Sequence, residues 1–243
     1  MNQQKKKSCK IRRSIGFITI SLIFGFVISV GLFPVIAYGF IIHNFLYFGS
    51  VFFWILLPFL IYIGLVIALC SEILISGFFI WLFHVQYEPG MYPYEFRNKQ
   101  AFKWILICSL YTPFRKIMEI VPVGGVKNVY YKMLGMHIGE NTLVGGVIKD
   151  PCVTSFGKNT TMGEYALIYG HITNYQKGMI TIKKTVIGDN CVIGAGSIIM
   201  PGVTIEDDVI VAAGALVTQD QHLKKGCIYA GVPVKLIGKN KES

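Results

Sequence analysis

The chain has 243 residues, of which 53% are hydrophobic and 15% charged, and this composition excludes a disordered chain. With a mean hydropathy of +0.55 it lies outside the range of ordinary soluble domains, so we expect part of it in a membrane. Most of the net charge of +10 lies beside one apolar stretch, because residues 1–13 carry +6 and residues 138–243 carry only +1. This distribution favours an anionic membrane surface as the partner and excludes a nucleic acid.

The first predicted elements are membrane helices. Residues 14–86 contain no Lys or Arg, and one bilayer crossing needs only about 20 residues. Basic residues stand on both sides of this run, so the positive-inside rule places both flanks in the cytoplasm and requires an even number of crossings. We predict a basic cytoplasmic tail over residues 1–13, followed by two transmembrane helices at about residues 15–42 and 51–83. Both termini and the C-terminal domain are then cytoplasmic.

Glu72 is the only acidic residue of this apolar run. A carboxylate inside a membrane marks a functional site by default. If the second helix starts near residue 51, however, Glu72 lies about 30 Å along it, at the cytoplasmic interface, where a carboxylate costs little. This position favours a solvated side chain without a function.

Residues 87–137 are predicted to form an amphipathic juxtamembrane connector. Pro89, Gly90 and Pro93 stop the preceding helix. Residues 96–107 mix basic and apolar side chains, which is typical of a helix on the inner membrane surface, although packing against the second span is an equally available interpretation. Pro113 is expected to end or kink this helix.

The six cysteines are scattered without a CxxC pair or the spacing of metal ligands. We therefore predict that they are small buried apolar residues in a reducing compartment, and that the chain has neither disulfides nor a metal site.

From Ile138 onward the chain repeats every six residues. Stepping by six from 138 to 168 and from 187 to 217 gives an apolar residue at every position except Asp150. A chain that turns a corner every six residues forms triangular coils of about 18 residues, and stacked coils give three parallel sheets around an apolar core. Hairpins would instead give a period of two. The repeat predicts an all-β parallel β-helix with a short C-terminal tail over residues 138–243.

Two segments carry a family resemblance: IGDNCVIGAGSIIMPGVTI from Ile187, and AGVPVK, which ends at Lys235. Over roughly residues 131–238 the chain resembles the hexapeptide-repeat acyltransferases, whose coils form left-handed parallel β-helices. The resemblance implies the left hand, because the general rule for parallel crossovers favours the right. It also implies homotrimers that close the site between subunits. Two membrane helices ahead of such a domain are similar to one unit of the tandem module that ends poly-lysine synthetases.

The repeat slips by one residue around positions 174–180, which indicates a loop extruded from the coil. Acyl transfer to an alcohol needs a base for the hydroxyl proton, and histidine titrates near neutral pH. In the family, the base is a histidine at the edge of such a loop. The resemblance therefore assigns catalysis to His171, whereas His137 and His222 lie outside the coils.

Three residues near this loop are candidates for orienting His171 or contacting the acceptor: Glu164, Tyr169 and Asn174. Glu164 lies one hexad upstream in phase, although the third position of a hexad usually points outward. Backbone carbonyls are the alternative orienting groups.

Acetyl-CoA is the acyl donor that the resemblance implies. Its pantetheine arm needs a groove of small residues and its phosphates need cations. The candidates are Gly194, Ala195, Ser197, Ala212 and Ala213 for the arm, and Lys224, Lys225 and Lys235 for the phosphates. The amide of Gly194 is also a candidate donor to the oxyanion. Val234 stands where the family usually has Ala.

The leading hypothesis is a membrane-anchored acetyltransferase that acetylates a hydroxyl of a membrane-linked glycan or cell-surface precursor, since confinement to one surface raises effective concentration. Its expected partners are the lipid bilayer, two further copies of the chain and a small-molecule or lipid-linked acceptor. The alternatives are transfer to an amine, as in a poly-lysine-synthetase-like condensation, and a non-catalytic scaffold. A zinc hydratase would need three converging histidines, and only His171 lies within the coils.

Overall fold

The computed structural model describes residues 2–120 and 124–240. The chain forms two compact units, of which the first comprises residues 1–84 and 106–120 and the second residues 85–105 and 121–243. The helices are α1 (Asn2–Gly31), α2 (Phe33–Phe45), α3 (Val51–Leu82), α4 (Lys99–Ile120) and α5 (Gly124–Met133).

The first unit contains the two long apolar helical stretches that the sequence predicts. By length and composition, Gly16–Phe45 and Val51–Leu82 could each cross a membrane. The first stretch is interrupted at Leu32, because Pro34 in the first turn of α2 has no backbone N–H to donate to the preceding turn. Helix α1 begins at Asn2, so the segment predicted as a basic tail is helical.

Contacts between α1 and α3 compensate the break in the first stretch. The Ser71 hydroxyl donates to the Gly31 carbonyl at 2.6 Å, which replaces a hydrogen bond that the helix loses there. Helix α3 begins with a capped turn, in which the Ser50 hydroxyl accepts from the Phe53 amide at 3.1 Å. It continues through Pro58 to Leu82.

The second unit is a parallel β-helix. Its strands are β1 (Gly90–Pro93), β2 (His137–Ile138), β3 (Leu143–Val144), β4 (Val147–Ile148), β5 (Thr154–Phe156), β6 (Thr161–Met162), β7 (Leu167–Ile168), β8 (His171–Asn174), β9 (Met179–Ile182), β10 (Thr185–Ile187), β11 (Val192–Ile193), β12 (Ile198–Ile199), β13 (Thr204–Ile205), β14 (Ile210–Val211), β15 (Leu216–Val217), β16 (His222–Leu223), β17 (Cys227–Ala230) and β18 (Lys235–Lys239). Three sheets form its faces, with the strand orders β16-β13-β10-β5-β2, β18-β17-β14-β11-β6-β3 and β15-β12-β7-β4.

The register of the three sheets confirms the predicted period. Ile187 pairs with Ile205, Ile193 with Val211, and Ile199 with Val217, so each partner lies 18 residues further along the chain (205 − 187 = 18). All six of these side chains are buried. The apolar residue at every sixth position therefore fills the core of the coils. Within these three sheets, as far as the structure describes the chain, only β18 runs antiparallel, against β17.

The first coil departs from the predicted register at Asp150. Ile148, not residue 150, pairs with Ile168 on the third face. The corner before β4 is short, and a Cβ at Gly146 would overlap the Ala166 carbonyl, so only glycine fits there. The expectation that position 150 belongs to the hexad register is thus corrected, since the coil turns two residues early.

A ladder of side-chain amides lines one corner of the stack. The φ angle is between 52° and 59° at four corner residues, Asn141, Asn159, Asn190 and Asp208. This is left-handed backbone, which Asn and Asp tolerate better than most residues. Each Asn donates to the side chain one coil further on, at 3.3, 3.3 and 3.1 Å. The same residues therefore turn the corner and tie successive coils together.

The loop predicted at residues 174–180 is the turn of a hairpin. Strands β8 and β9 pair antiparallel, and β9 also pairs with β1, which the sequence did not predict. This gives a three-stranded antiparallel sheet beside the coils. Helix α4 starts at Lys99, where the Asn98 side chain caps it, and it continues through Pro113 without ending there.

Candidate functional site

His171 is the first residue of β8, at the point where the hairpin leaves the coil. The residue before it, Gly170, is buried against the preceding coil. A Cβ at position 170 would lie 2.6 Å from Asp150 Cβ and 2.6 Å from Val153 Cγ2. Glycine therefore lets the root of the hairpin approach Asp150 more closely than any other residue would.

His171 and Asp150 form a hydrogen-bonded pair, with 2.7 Å between His171 Nδ1 and Asp150 Oδ2. The Asp150 side chain is completely buried, whereas 20% of the His171 side chain is exposed. An ionised carboxylate only accepts hydrogen bonds, so Nδ1 carries the proton. The other ring nitrogen, Nε2, then holds a lone pair and is able to act as a base.

Four hydrogen bonds surround the Asp150 carboxylate. Oδ1 accepts from the Tyr87 hydroxyl at 2.7 Å and from Trp104 Nε1 at 3.1 Å. Oδ2 accepts from the Gly170 amide at 2.8 Å as well as from His171. Burial by itself raises the pKa of Asp150, but the hydrogen bond and charge of His171, with the bonds from Tyr87 and Gly170, outweigh it and hold the pKa below its ordinary value.

Aromatic rings extend from His171 toward the turn of the hairpin. The Trp104 ring meets the imidazole edge to face, with 4.7 Å between the ring centroids. Tyr94 contacts Trp104 at 5.9 Å and Tyr175 at 5.8 Å, again edge to face. Tyr175 is 76% exposed, so the row of rings runs from the buried pair to the surface.

The residues predicted beside His171 lie elsewhere or have other partners. Glu164 is exposed, and Asp150 occupies the orienting position proposed for it. Asn174 accepts from the Lys177 amide at 3.0 Å, so it stabilises the hairpin turn. The Tyr169 ring is partly buried and lies 5.9 Å from the Lys149 ammonium.

One residue predicted for the pantetheine arm, Ser197, and the predicted oxyanion donor, Gly194, are corrected. Ser197 is completely buried inside the coil and therefore does not line an external groove. The Gly194 amide donates to the Val211 carbonyl at 2.8 Å within the stack of coils, so it is not available to an oxyanion. Ala195 and Ala213 are exposed and Ala212 is partly buried, as a surface groove requires.

The three predicted lysines are all exposed but differ in their surroundings. Lys225 pairs with Asp208 at 3.4 Å and Asp207 at 3.6 Å, and the hydrogen bond and charge of Asp208 raise the pKa of its ammonium. Its charge is therefore shared with two carboxylates. Lys224 and Lys235 project from the last coil and from β18 respectively.

The partly buried thiol near the pair, Cys152, is unsuited to catalysis. Burial raises the pKa of Cys152 to about 12, so this thiol stays protonated at neutral pH and is a poor nucleophile. Within residues 2–120 and 124–240, no three His, Cys, Asp or Glu side chains stand close enough to hold a metal ion. His137 and His222 were expected outside the coils, but they belong to β2 and β16 within them. Both are exposed, and His222 lies 2.7 Å from Glu206.

The coils match known proteins. Residues 184–219 match the family described as "Bacterial transferase hexapeptide (six repeats)". YvoF of Bacillus subtilis (strain 168), which is named as an acetyltransferase, is 35% identical over 127 residues, or 50% of this chain and 72% of that protein. The chain belongs to the hexapeptide-repeat acetyltransferase family.

The chain is also similar to proteins that carry other names. Gamma carbonic anhydrase 2 of Arabidopsis thaliana mitochondria is 28% identical over 119 residues, which are 49% of this chain and 36% of that protein. The structure of a maltose O-acetyltransferase from Clostridium difficile 630 matches with a TM-score of 0.44 and 24% identity, over 52% of this chain and 84% of that one.

In this hexapeptide-repeat acetyltransferase, sequence reasoning missed Asp150, Tyr87 and Trp104. One signal for Asp150 was present, because it is the single polar residue in an otherwise apolar register. A polar residue at such a position needs a hydrogen-bonding role or leaves the register, and Asp150 does both. Tyr87 and Trp104 gave no local signal.

Proposed function

We propose that the chain transfers an acetyl group from acetyl-CoA to a hydroxyl of a membrane-linked glycan or cell-surface precursor, with His171 as the general base. The observation that carries this proposal is the contact between His171 Nδ1 and the buried Asp150 carboxylate. This contact favours the tautomer in which Nε2 is free to accept a proton. The His171 side chain is 20% exposed, so an acceptor is able to reach it.

The reaction follows from this arrangement. Nε2 takes the proton of the acceptor hydroxyl while the oxygen attacks the thioester carbonyl and forms the new C–O bond. The tetrahedral oxyanion then collapses, the C–S bond breaks, and the imidazolium returns the proton to the departing thiolate. Asp150 stabilises the imidazolium and stays ionised throughout. An amine nucleophile would use the same base, so the choice of a hydroxyl rests on the proposed glycan acceptor.

Exposed residues of the second unit fit the acyl donor. Ala195 and Ala213 would border the pantetheine arm, where a larger side chain would block it. Lys224 and Lys235 are exposed cations that would meet the phosphates. Lys225 contributes less, because Asp207 and Asp208 already pair with it.

Membrane attachment is the second element of the proposal. Two helical stretches of sufficient length, Gly16–Phe45 and Val51–Leu82, support it, together with the basic flanks that would hold both termini in the cytoplasm. Acetyl-CoA would then reach the coils from the cytoplasm. A reporter fused after Ser243 that is active only outside the cell would contradict this topology.

We also propose a homotrimer of left-handed β-helices. A single β-helix presents flat faces, and closing a groove between neighbouring copies would surround the acyl donor from both sides. Mass measurement of the detergent-solubilised protein tests this, since full activity in a monomer would count against a shared site.

The decisive experiment compares two histidine variants in the detergent-solubilised full chain. Each protein is incubated with labelled acetyl-CoA and membrane extract, and the labelled product is isolated. We expect His171→Ala to lower turnover by about 10² to 10⁴-fold, the range of general-base catalysis. His222→Ala is the matched control, because His222 is an exposed histidine whose partner is Glu206.

The outcome separates an enzyme from a scaffold. Loss of transfer in His171→Ala, with unchanged assembly and acetyl-CoA binding, supports the proposed base. If His171→Ala and His222→Ala both keep wild-type turnover, His171 is not the base. If the wild-type protein itself transfers no acetyl group, the scaffold interpretation takes the place of the enzyme.

A further inference from the structure

Two residues far from the coils in sequence approach the proposed catalytic pair. Tyr87 and Trp104 lie 63 and 46 residues before Asp150, yet both donate to its Oδ1. Both are buried, with 3% and 9% exposure respectively. They belong to residues 85–105, here called the arm, which is the part of the second unit that precedes the β-helix in sequence.

We infer that Tyr87 and Trp104 are positioning residues for His171, so that the arm is part of the catalytic machinery. This inference rests on the proposed function of His171. It assigns to the segment directly following α3 a role in acyl transfer in addition to linking two parts of the chain.

The hydrogen-bond pattern shows how the arm acts. A carboxylate has two oxygens that exchange places when the group rotates about its Cβ–Cγ bond. The arm supplies both donors to Oδ1, while Gly170 and His171 supply both donors to Oδ2. Because Oδ1 is held from one side, Oδ2 stays directed at Nδ1, and a preorganised acceptor of this kind fixes the orientation of the imidazole.

Trp104 also restrains the imidazole itself. Its ring meets His171 at a centroid distance of 4.7 Å and an interplanar angle of 66°. Rotation of the imidazole away from Asp150 would lose this contact in addition to the hydrogen bond. Trp104 therefore acts on both members of the pair.

Strand pairing connects the arm to the hairpin, and hydrogen bonds connect its two ends. Four residues of β1 pair with four residues of β9, from Gly90 with Ile182 to Pro93 with Met179. The Lys103 ammonium donates to the Gln86 carbonyl at 2.7 Å, and the Glu88 amide donates to the Gln100 side chain at 3.2 Å. Tyr87 precedes β1 and Trp104 follows it in sequence. These contacts hold the two segments together, so that both donors reach a single oxygen.

The test uses Tyr87→Phe and Trp104→Phe in the full chain, each of which removes one donor and keeps an aromatic ring. Tyr92→Phe is the matched control, because the Tyr92 hydroxyl lies in the same arm but donates to the Pro89 carbonyl. We expect turnover to fall about ten-fold in each test variant, as for loss of one hydrogen bond to a charged group, with the KM for acetyl-CoA unchanged.

A second readout does not depend on turnover. In protein labelled with ¹⁵N-histidine, the His171 signals are identified by their loss in His171→Gln. We expect the neutral ring to be in the Nδ1–H form in the wild type and in Tyr92→Phe, and the Nε2–H form to appear in Tyr87→Phe and Trp104→Phe.

The two readouts separate this inference from the proposed function. If wild-type protein transfers no acetyl group, the proposed function fails while the tautomer still reports on the arm. If Tyr87→Phe and Trp104→Phe both keep wild-type turnover and the pure Nδ1–H tautomer, the arm does not position His171 and the inference is overturned.

Discussion

Each unit of the chain buries a carboxyl group against a glycine, and the two groups differ in their hydrogen-bond partners. In the second unit, Asp150 is completely buried beside Gly170 and accepts four hydrogen bonds. In the first unit, Glu72 is 8% exposed beside Gly31, and among the residues that the structure describes neither of its oxygens has a hydrogen-bond partner. Burial alone therefore says little about a carboxyl group, because the donors around it decide whether a charge is stabilised there.

The surroundings of Glu72 differ from the expectation of a solvated side chain, because its carboxyl group is buried beside Gly31. A buried carboxyl group without donors is costly, whereas four donors support the charge of Asp150.

The largest difference between the two carboxyl groups is expected from Asp150→Asn. An amide keeps one accepting oxygen but turns an NH₂ group toward two donors, so either Tyr87 and Trp104 or Gly170 and His171 lose their acceptor. We expect turnover to fall on the order of 10³-fold, since the wrong tautomer of His171 has no lone pair at Nε2. Labelled acetyl transfer measures this loss.

Glu164→Gln is the matched control for this variant. Glu164 is the carboxylate that the sequence offers as a candidate partner of His171, although its hexad position usually points outward, and it is exposed in the structure. Wild-type turnover is expected in Glu164→Gln. If Glu164→Gln loses more activity than Asp150→Asn, the assignment of the orienting carboxylate to Asp150 is wrong.

A smaller effect, on the stability of the folded protein, is expected when the pH is lowered. The folded-state pKa of Asp150 lies below its ordinary value of about 3.9, so its charge contributes stability that is fully present above about pH 4. This contribution is lost as the pH falls through the lowered folded-state pKa. Thermal unfolding of wild type and Asp150→Asn should therefore differ by a constant amount from neutral pH down to about pH 4 and converge below it. A difference that stays constant throughout the acid range would show that Asp150 is not ionised in the folded protein.

The sequence predicts the coils better than it predicts the surroundings of Asp150. The stacked coils follow from a local pattern, because an apolar residue every six positions dictates the same corner in each coil. The pattern did not predict the position of Asp150, because a corner at Gly146 shortens the first coil and Ile148 takes the inward position. No local period records such a change.

The proposed site depends on contacts between distant segments. Because of the hairpin, Phe156 pairs with Ile187, which lies 31 residues later in the sequence (187 − 156 = 31) and not 18. In the sequence, the hairpin is visible only as a slip of one residue in the register. Strand β1 and the donors Tyr87 and Trp104 belong to a segment without repeats. Their positions follow from tertiary packing, which one sequence does not reveal, whereas the place of His171 at the root of the hairpin was visible from the interrupted repeat.

The smallest effect in the comparison is expected at Glu72. Replacing this side chain by methionine keeps its length and removes two buried oxygens that have no partner in the part of the chain that the structure describes. We expect Glu72→Met to stabilise the detergent-solubilised protein by about 1 kcal/mol, because an unpaired polar group costs about 1–3 kcal/mol to bury. Leu74→Met on the same helix is the control for methionine itself, and its stability should stay within about 0.5 kcal/mol of wild type, as expected for a volume-conserving change at a partly exposed site. Thermal unfolding of both variants measures the difference. If Glu72→Met is instead destabilised as strongly as Asp150→Asn, Glu72 has a partner in the assembled protein, and the contrast between the two carboxyl groups does not hold.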